Sequence, residues 1–339
     1  MVILTNCLAE RVDEGCLKVA NSLTRRIKKK CPASTILTYE RNVQESDVHL
    51  QLNKLFLNLK LFAVLRKKKE PLLYIPFSAC TKASVLRTAV LAAFSRVPVN
   101  VLFVSHQPLG RLFQGLLRWS KARIFSLSKE SYVFFRGIVG DRAIYLKTGV
   151  DTKKFRPISP EEKAELRRKY EIPDDAKVLL HVGHLKEGRN IRALLNVDPS
   201  IHVVLVVSTL TEGQWDEQLR RELNARPNTI LIDTFVENIE QIYQMADVYM
   251  FPVQEAGNCI DTPLSVLEAA ACGIPALVTA YGELKELLDE DGFYPIQTFE
   301  PEPLNGLVLW ACSQKRNGRQ SVLAYEWDRA VENLLSLNT

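Results

Sequence analysis

The seven cysteines include no Cys-x-x-Cys pair. That argues against a structural zinc site. Read with the absence of a secretory leader, it leads us to expect reduced thiols in a cytoplasmic protein rather than a disulfide framework. No apolar run approaches the roughly 18 residues of a membrane span. The best stretch, 55–65, is broken by Asn58 and Lys60, so the chain is not expected to cross a bilayer. No Gly-x-Gly-x-x-Gly turn follows the first apolar segment, because residues 6–15 hold only Gly15. That speaks against a dinucleotide-dependent oxidoreductase, which strand–helix alternation alone would permit. Internal repeats and low-complexity segments are absent as well.

What is present is a globular composition. The chain has 339 residues, 47% of them hydrophobic, which suits two domains of ordinary size. The net charge of +5 hides an asymmetry. Residues 1–148 carry 25 Lys and Arg against 9 Asp and Glu, whereas residues 149–339 carry 19 against 30. A basic half joined to an acidic half implies that one domain meets an anionic surface. The basic residues are not interleaved with a stacking aromatic platform, and no nucleic-acid motif is visible. An anionic membrane surface is therefore the better partner, and nucleic acid is not expected.

The chain is organised around residues 251–279. The run 248–252 reads as a buried strand ended by Pro252. A polar loop follows, with Glu255 in it. Thr262 before Pro263 reads as a hydroxyl N-cap with proline at the first helical position, and Gly273 reads as the stop. Residues 276–279 form the next strand. Such strand–loop–helix junctions are where open α/β sheets bind ligands. The amides of Leu264 and Ser265 fall in the first turn, where donors lack intrahelical partners and the dipole favours anions. Glu268 lies one turn further on the same face. It reads either as a ribose ligand or as an exposed helix residue.

Elsewhere, residues 2–6, 35–39, 72–75, 99–104, 123–127 and 143–146 read as strands of a first domain. Residues 50–65 and 322–337 read as helices. Residues 13–15 form a loop in which Gly15 is either a ligand contact or a plain turn. His106 follows the strand at 99–104, at the ligand-facing edge. Residues 109–120 combine Leu112, Phe113, Leu116, Leu117 and Trp119 with Arg111 and Arg118. That is the pattern of an interfacial anchor, or of a core-facing helix with a basic outer side.

The string PLSVLEAAACGIP at 263–275 closely resembles the nucleotide-binding helix of glycosyltransferase family 4. Three further strings match in order: KTGVDTKKFRP at 147–157, HVGHLKEGRN at 181–190 and YEWDR at 325–329. The resemblance implies an α/β chain of GT-B type, two Rossmann-like domains with parallel sheets facing a cleft. The expected division is an acceptor-side domain at 1–148, a nucleotide-sugar domain at 149–318 and a C-terminal helix at 319–339 crossing back. The implied activity is retaining, metal-independent transfer of a sugar from a nucleotide sugar to a glycan or lipid-linked acceptor at the membrane. No cofactor is expected. Gly183, His184, Lys186, Arg189, Leu264 and Ser265 would hold the diphosphate, and Glu268 the ribose. Gly15 and Thr262 complete the donor contacts. His106, Arg189 and Asp261 are the candidate catalytic residues.

Two positions depart from the family pattern. Ile260 stands where the first of two spaced glutamates is usual, with Asp261 and Glu255 as possible substitutes. His184 stands where an arginine is usual. Both motivate a second reading, a non-catalytic GT-B relative acting as a binding or scaffold partner.

Overall fold

The computed structural model describes residues 1–5, 8–9, 11–39, 46–51, 57–77, 80–209, 216–314 and 318–337. The chain divides into two compact units. Unit 1 comprises Met1–Thr148, Ile260–Thr262 and Trp327–Thr339; unit 2 comprises Gly149–Cys259 and Pro263–Glu326.

In unit 1 the elements run β1 (Val2–Thr5), α1 (Gly15–Lys30), β2 (Thr35–Thr38), β3 (Val48–His49), α2 (Leu59–Lys67), β4 (Leu72–Ile75), α3 (Lys82–Phe94), β5 (Val99–Phe103), α4 (Arg111–Ser120), β6 (Arg123–Ser126), α5 (Lys129–Val139) and β7 (Ala143–Tyr145). The strands form one parallel sheet in the order β3-β2-β1-β4-β5-β6-β7. β1, β2, β4 and β5 are buried along their whole length, as expected of a sheet covered on both faces. Leu4, Leu37, Val101, Phe103 and Phe135 share one core. Each such side chain contributes roughly 1.5–3 kcal/mol by leaving water.

Local chemistry sets the helix ends. Glu14 caps α1 by accepting from Leu17 N at 3.1 Å, and Lys28, Lys29 and Lys30 end it where positive charge suits the dipole. The expected helix at 50–65 begins instead at Leu59. Asn58, read as an interruption, is its N-cap and accepts from Leu61 N at 2.8 Å. Part of that expected helix, 52–56, lies outside the described residues.

Unit 2 contains α6 (Pro160–Lys169), β8 (Val178–Gly183), β9 (His202–Val207), α7 (Glu217–Ala225), β10 (Thr229–Ile232), α8 (Ile239–Met245), β11 (Val248–Phe251), α9 (Leu264–Ala271), β12 (Ala276–Val278), β13 (Phe293–Pro295), α10 (Pro301–Cys312) and α11 (Arg319–Val322). Its parallel sheet has the order β10-β9-β8-β11-β12-β13. Alternation along β11 fills both faces: Tyr249 and Phe251 join one core, Val248 and Met250 the other. The order reverses between β8 and β11, and a doubly wound sheet opens its binding crevice at such a switch point.

The last helix, α12 (Trp327–Ser336), packs on α1 within unit 1, with Arg26–Asp328 at 3.5 Å and Lys30–Glu332 at 2.5 Å. The helix expected at 322–337 is therefore interrupted. Residues Leu323–Tyr325 form a 3-10 turn and Glu326 is extended. The break follows from Tyr325, which is buried, donates its hydroxyl to Glu283 at 2.5 Å, and accepts from Gly149 N at 2.8 Å through its carbonyl.

Candidate functional site

The segment Ile260–Thr262 hydrogen-bonds to the ends of strands in unit 1. Asp261 N donates to Val104 O at 2.9 Å, just beyond β5. The Thr262 hydroxyl donates to Leu127 O at 2.5 Å, just beyond β6. Thr262 is therefore not the N-cap of α9. Pro263 holds that position with no side-chain bond, because the Thr262 hydroxyl is committed elsewhere. Ile260 lies over Gly15, where an added Cβ would sit 3.1 Å from Ile260 Cδ1. A side chain at Gly15 would therefore require Ile260 to give by a few tenths of an ångström.

Asp261 is buried beside two serines the sequence did not single out. Ser128 Oγ donates to its Oδ2 at 3.2 Å, and Ser131 Oγ donates to the same oxygen. His106 Nδ1 lies 2.5 Å from Ser131 Oγ and 3.6 Å from Asp261 Oδ2. The Phe134 ring, 4.8 Å away centre to centre, flanks the imidazole. Ser128 is readable as a cap, since it accepts from Ser131 N at 3.1 Å at the start of α5. Its second bond, to a residue far along the chain, leaves no local sequence signal.

In unit 2, β8 delivers Gly183. A Cβ there would lie 2.9 Å from His181 Nε2 and 3.3 Å from Arg189 Nη1, so only glycine permits this approach. The next turn, Glu187–Arg189, is a single 3-10 turn closed by Asn190 at φ 54°. Gly188 packs on Asn258, where an added Cβ would overlap the amide. Asn190 Nδ2 donates to Pro252 O at 3.3 Å. The loops after β8 and β11 are thereby joined at the switch point.

Three arginines are buried among the described residues: Arg167, Arg189 and Arg226. Arg167 is well partnered, reaching Asp247 Oδ2 at 2.7 Å and the carbonyls of Met245, Asp174 and Ala176. Arg226 donates to the carbonyls of Val197, Asp198 and Ile201. The Arg189 guanidinium, only 9% exposed, has no hydrogen bond or ion pair among the described residues. A buried cation without a partner is costly unless a ligand supplies the counter-charge.

Beneath Gly183, His181 is fully buried. Its Nδ1 lies 2.8 Å from Met250 O and therefore carries the proton and donates. Nε2 has no partner among the described residues. Burial chiefly, with the nearby charge of Arg189, pushes its pKa down to about 4 despite the opposing pull of the Met250 carbonyl. His184 and Lys186 are half-buried on the following loop.

The Tyr249 hydroxyl ties the end of β8 to the start of α9, lying 3.2 Å from Val182 O and 2.8 Å from Ser265 Oγ. Both contacts are satisfied when Tyr249 donates to the carbonyl and Ser265 donates to Tyr249. In the first turn of α9 the Val266 amide finds Pro263 O at 3.2 Å. The Leu264 and Ser265 amides precede it and have no backbone acceptor among the described residues. Glu268 is 4% exposed, not a solvated helix residue, and accepts from the Tyr243 hydroxyl at 2.9 Å. Burial and then the Glu268 charge hold the Tyr243 phenol well above its usual range. Gly183, Arg189 and Ser265 thus gather at one switch point, with Glu268 one turn deeper. His106, Asp261, Thr262 and Gly15 form a separate group in unit 1.

Residues 176–305 match the family model described as "Glycosyl transferases group 1". Over 58% or less of this chain, the curated relatives align with about half or less of their own length. One is a GDP-mannose-dependent monoacylated alpha-(1-6)-phosphatidylinositol monomannoside mannosyltransferase of Corynebacterium glutamicum, 26% identical over 49% of this chain and 45% of its own. Another is a D-inositol 3-phosphate glycosyltransferase of Geodermatophilus obscurus, 27% identical over 58% of this chain and 47% of its own. Among solved structures, Anabaena Alr3699/HepE in complex with UDP superposes with a TM-score of 0.76 at 14% identity, covering 99% of this chain and 98% of its own. The sucrose-phosphate synthase of Thermosynechococcus elongatus gives a TM-score of 0.74 at 18% identity, covering 99% and 97%. The fold is GT-B. Over residues 176–305 the chain is similar to the group 1 glycosyltransferases.

Proposed function

We propose that the protein is a retaining, metal-independent glycosyltransferase that moves a sugar from a nucleotide sugar to a glycan or lipid-linked acceptor. The observation that carries this reading is Arg189, a buried cation with no hydrogen bond or ion pair among the described residues, beside Gly183 at the switch point of the second parallel sheet. Arg189 and the Leu264 and Ser265 amides would neutralise the donor diphosphate, with His184 and Lys186 at the rim. Glu268 would accept the ribose hydroxyls. His106 and Asp261 would face the reacting sugar. Charge neutralisation and positioning carry most of such catalysis, and the departing phosphate takes the acceptor's proton on the face it leaves. Similarity to a protein solved with UDP supports a nucleoside diphosphate donor.

The acceptor side favours a membrane surface. Leu112 and Trp119 of α4 are 72% and 61% exposed, beside exposed Arg111, Arg118 and Lys121. An apolar and basic strip of this kind suits the anionic inner face of a membrane. No described helix is long and apolar enough to cross one.

One observation favours the second reading, a binding or scaffold relative. Ile260 occupies the position of an expected carboxylate and is 6% exposed, packed on Gly15. The deciding experiment incubates the protein with UDP-, GDP- and ADP-sugars and membrane lipid extract, then measures nucleotide release and sugar incorporation. Incorporation from one donor supports transfer. Nucleotide binding without turnover on any donor supports the scaffold reading.

A further inference from the structure

We propose that Ser131 is a positioning residue that fixes the tautomer of His106, presenting Nε2 as a lone-pair acceptor for a sugar hydroxyl. The available hydrogens dictate this arrangement. A carboxylate oxygen only accepts, and Asp261 Oδ2 receives both Ser128 and Ser131. Ser131 has a single hydroxyl hydrogen, which that bond uses. Its remaining contact, His106 Nδ1 at 2.5 Å, is therefore made by an Nδ1–H that donates to Ser131 Oγ. The imidazole proton sits on Nδ1, and Nε2 keeps its lone pair.

Every part of this chain of bonds is held. Ser131 is fully buried in the first turn of α5, and its amide donates to Ser128 Oγ at 3.1 Å. Asp261 is pinned by its own amide to Val104 O at 2.9 Å. Phe134 restricts the ring plane. The His106 side chain keeps 23% of its surface exposed, so a ligand can reach it. An acceptor nitrogen suits a hydroxyl group and is unsuited to a phosphate oxygen, which would meet lone pair with lone pair. His106 therefore selects the sugar part of a ligand, and Ser131, held by its bond to Asp261, sets that selectivity without touching the ligand.

The test uses the uniformly 15N-labelled full chain at pH 8. Long-range proton–nitrogen correlation reports the tautomer of each of the five histidines, and the His106→Gln spectrum assigns the signal. The expected result is a protonated Nδ1 and an unprotonated Nε2 in the wild type, with population moving to the Nε2–H form in Ser131→Ala. A wild-type Nε2–H tautomer or imidazolium overturns the proposal. So does an unchanged tautomer in Ser131→Ala that melts like the wild type. If that variant does not fold, the wild-type spectrum still decides.

A second arm rests on the glycosyltransferase reading. Ser131→Ala is expected to lower kcat by up to about 100-fold, the scale of a displaced reacting group, while UDP affinity stays unchanged. Lost UDP affinity would contradict a role confined to His106. Absence of UDP binding in the wild type would count against the transferase reading and leave the tautomer result standing.

Discussion

Gly183 and Arg189 touch so closely that a Cβ on the glycine would stand 3.3 Å from the guanidinium Nη1 and 2.9 Å from His181 Nε2. The second contact is the decisive one, because the buried ring has nowhere to retreat. Gly183→Ala is expected to displace the turn that carries Arg189. Overpacking of this kind costs about 1–3 kcal/mol. The checks are a urea denaturation midpoint below wild type and a UDP dissociation constant raised by roughly tenfold or more, the equivalent of about 1.4 kcal/mol.

His181 makes stability depend on pH. Its folded pKa of about 4 lies below the ordinary value of 6.5, so the unfolded chain binds the proton more readily. The neutral ring's contribution is fully present above pH 6.5 and is lost as pH falls toward 4. Its size is about 3 kcal/mol, the free energy that separates the two pKa values. Denaturation at intervals between those limits is expected to show this decline. His181→Asn, which retains a donor for Met250 O, is expected to flatten it.

Tyr243 and Glu268 form a buried pair, with the phenol donating at 2.9 Å. Tyr243→Phe removes the donor and leaves a buried carboxylate short of one bond, at an expected cost of about 1–3 kcal/mol. Thermal melting with and without UDP separates two effects. A lower melting temperature in both states marks lost packing and hydrogen bonding. A reduced UDP-induced increment marks a misplaced Glu268.

Much of the structure around the candidate site is legible in the sequence because it is local. The run 248–279 resolves into β11, a loop, α9 and β12, and Gly273 at φ 82° ends the helix region as its position after Cys272 implies. What stays hidden is long-range. Thr262 has the chemistry of a cap, yet its hydroxyl goes to Leu127. Ser131 meets Asp261 across 130 residues, and no spacing rule reaches that far. Asn58 misleads in the other direction: a polar residue inside an apolar run reads as an interruption and is a helix start.

The exposed strip on α4 gives a fluorescence test. Trp119 is 61% exposed, so its emission is expected to shift to the blue on adding vesicles containing anionic lipid. Neutral vesicles are expected to give little change, and salt to reverse the effect. Arg111→Glu with Arg118→Glu is expected to abolish the shift. An unchanged spectrum with anionic vesicles would count against membrane docking through this face.

The most direct test of the proposed nucleotide site is calorimetric titration of UDP, GDP and ADP, without divalent metal, into the wild type and Arg189→Met. Removing a buried cation that has no partner among the described residues is expected to leave the unliganded protein as stable as wild type or more so. The same change is expected to lower affinity for the preferred nucleotide by at least about tenfold, the least a lost charge-assisted bond predicts. A folded Arg189→Met protein that binds the nucleotide as tightly as wild type would contradict the assignment of this site.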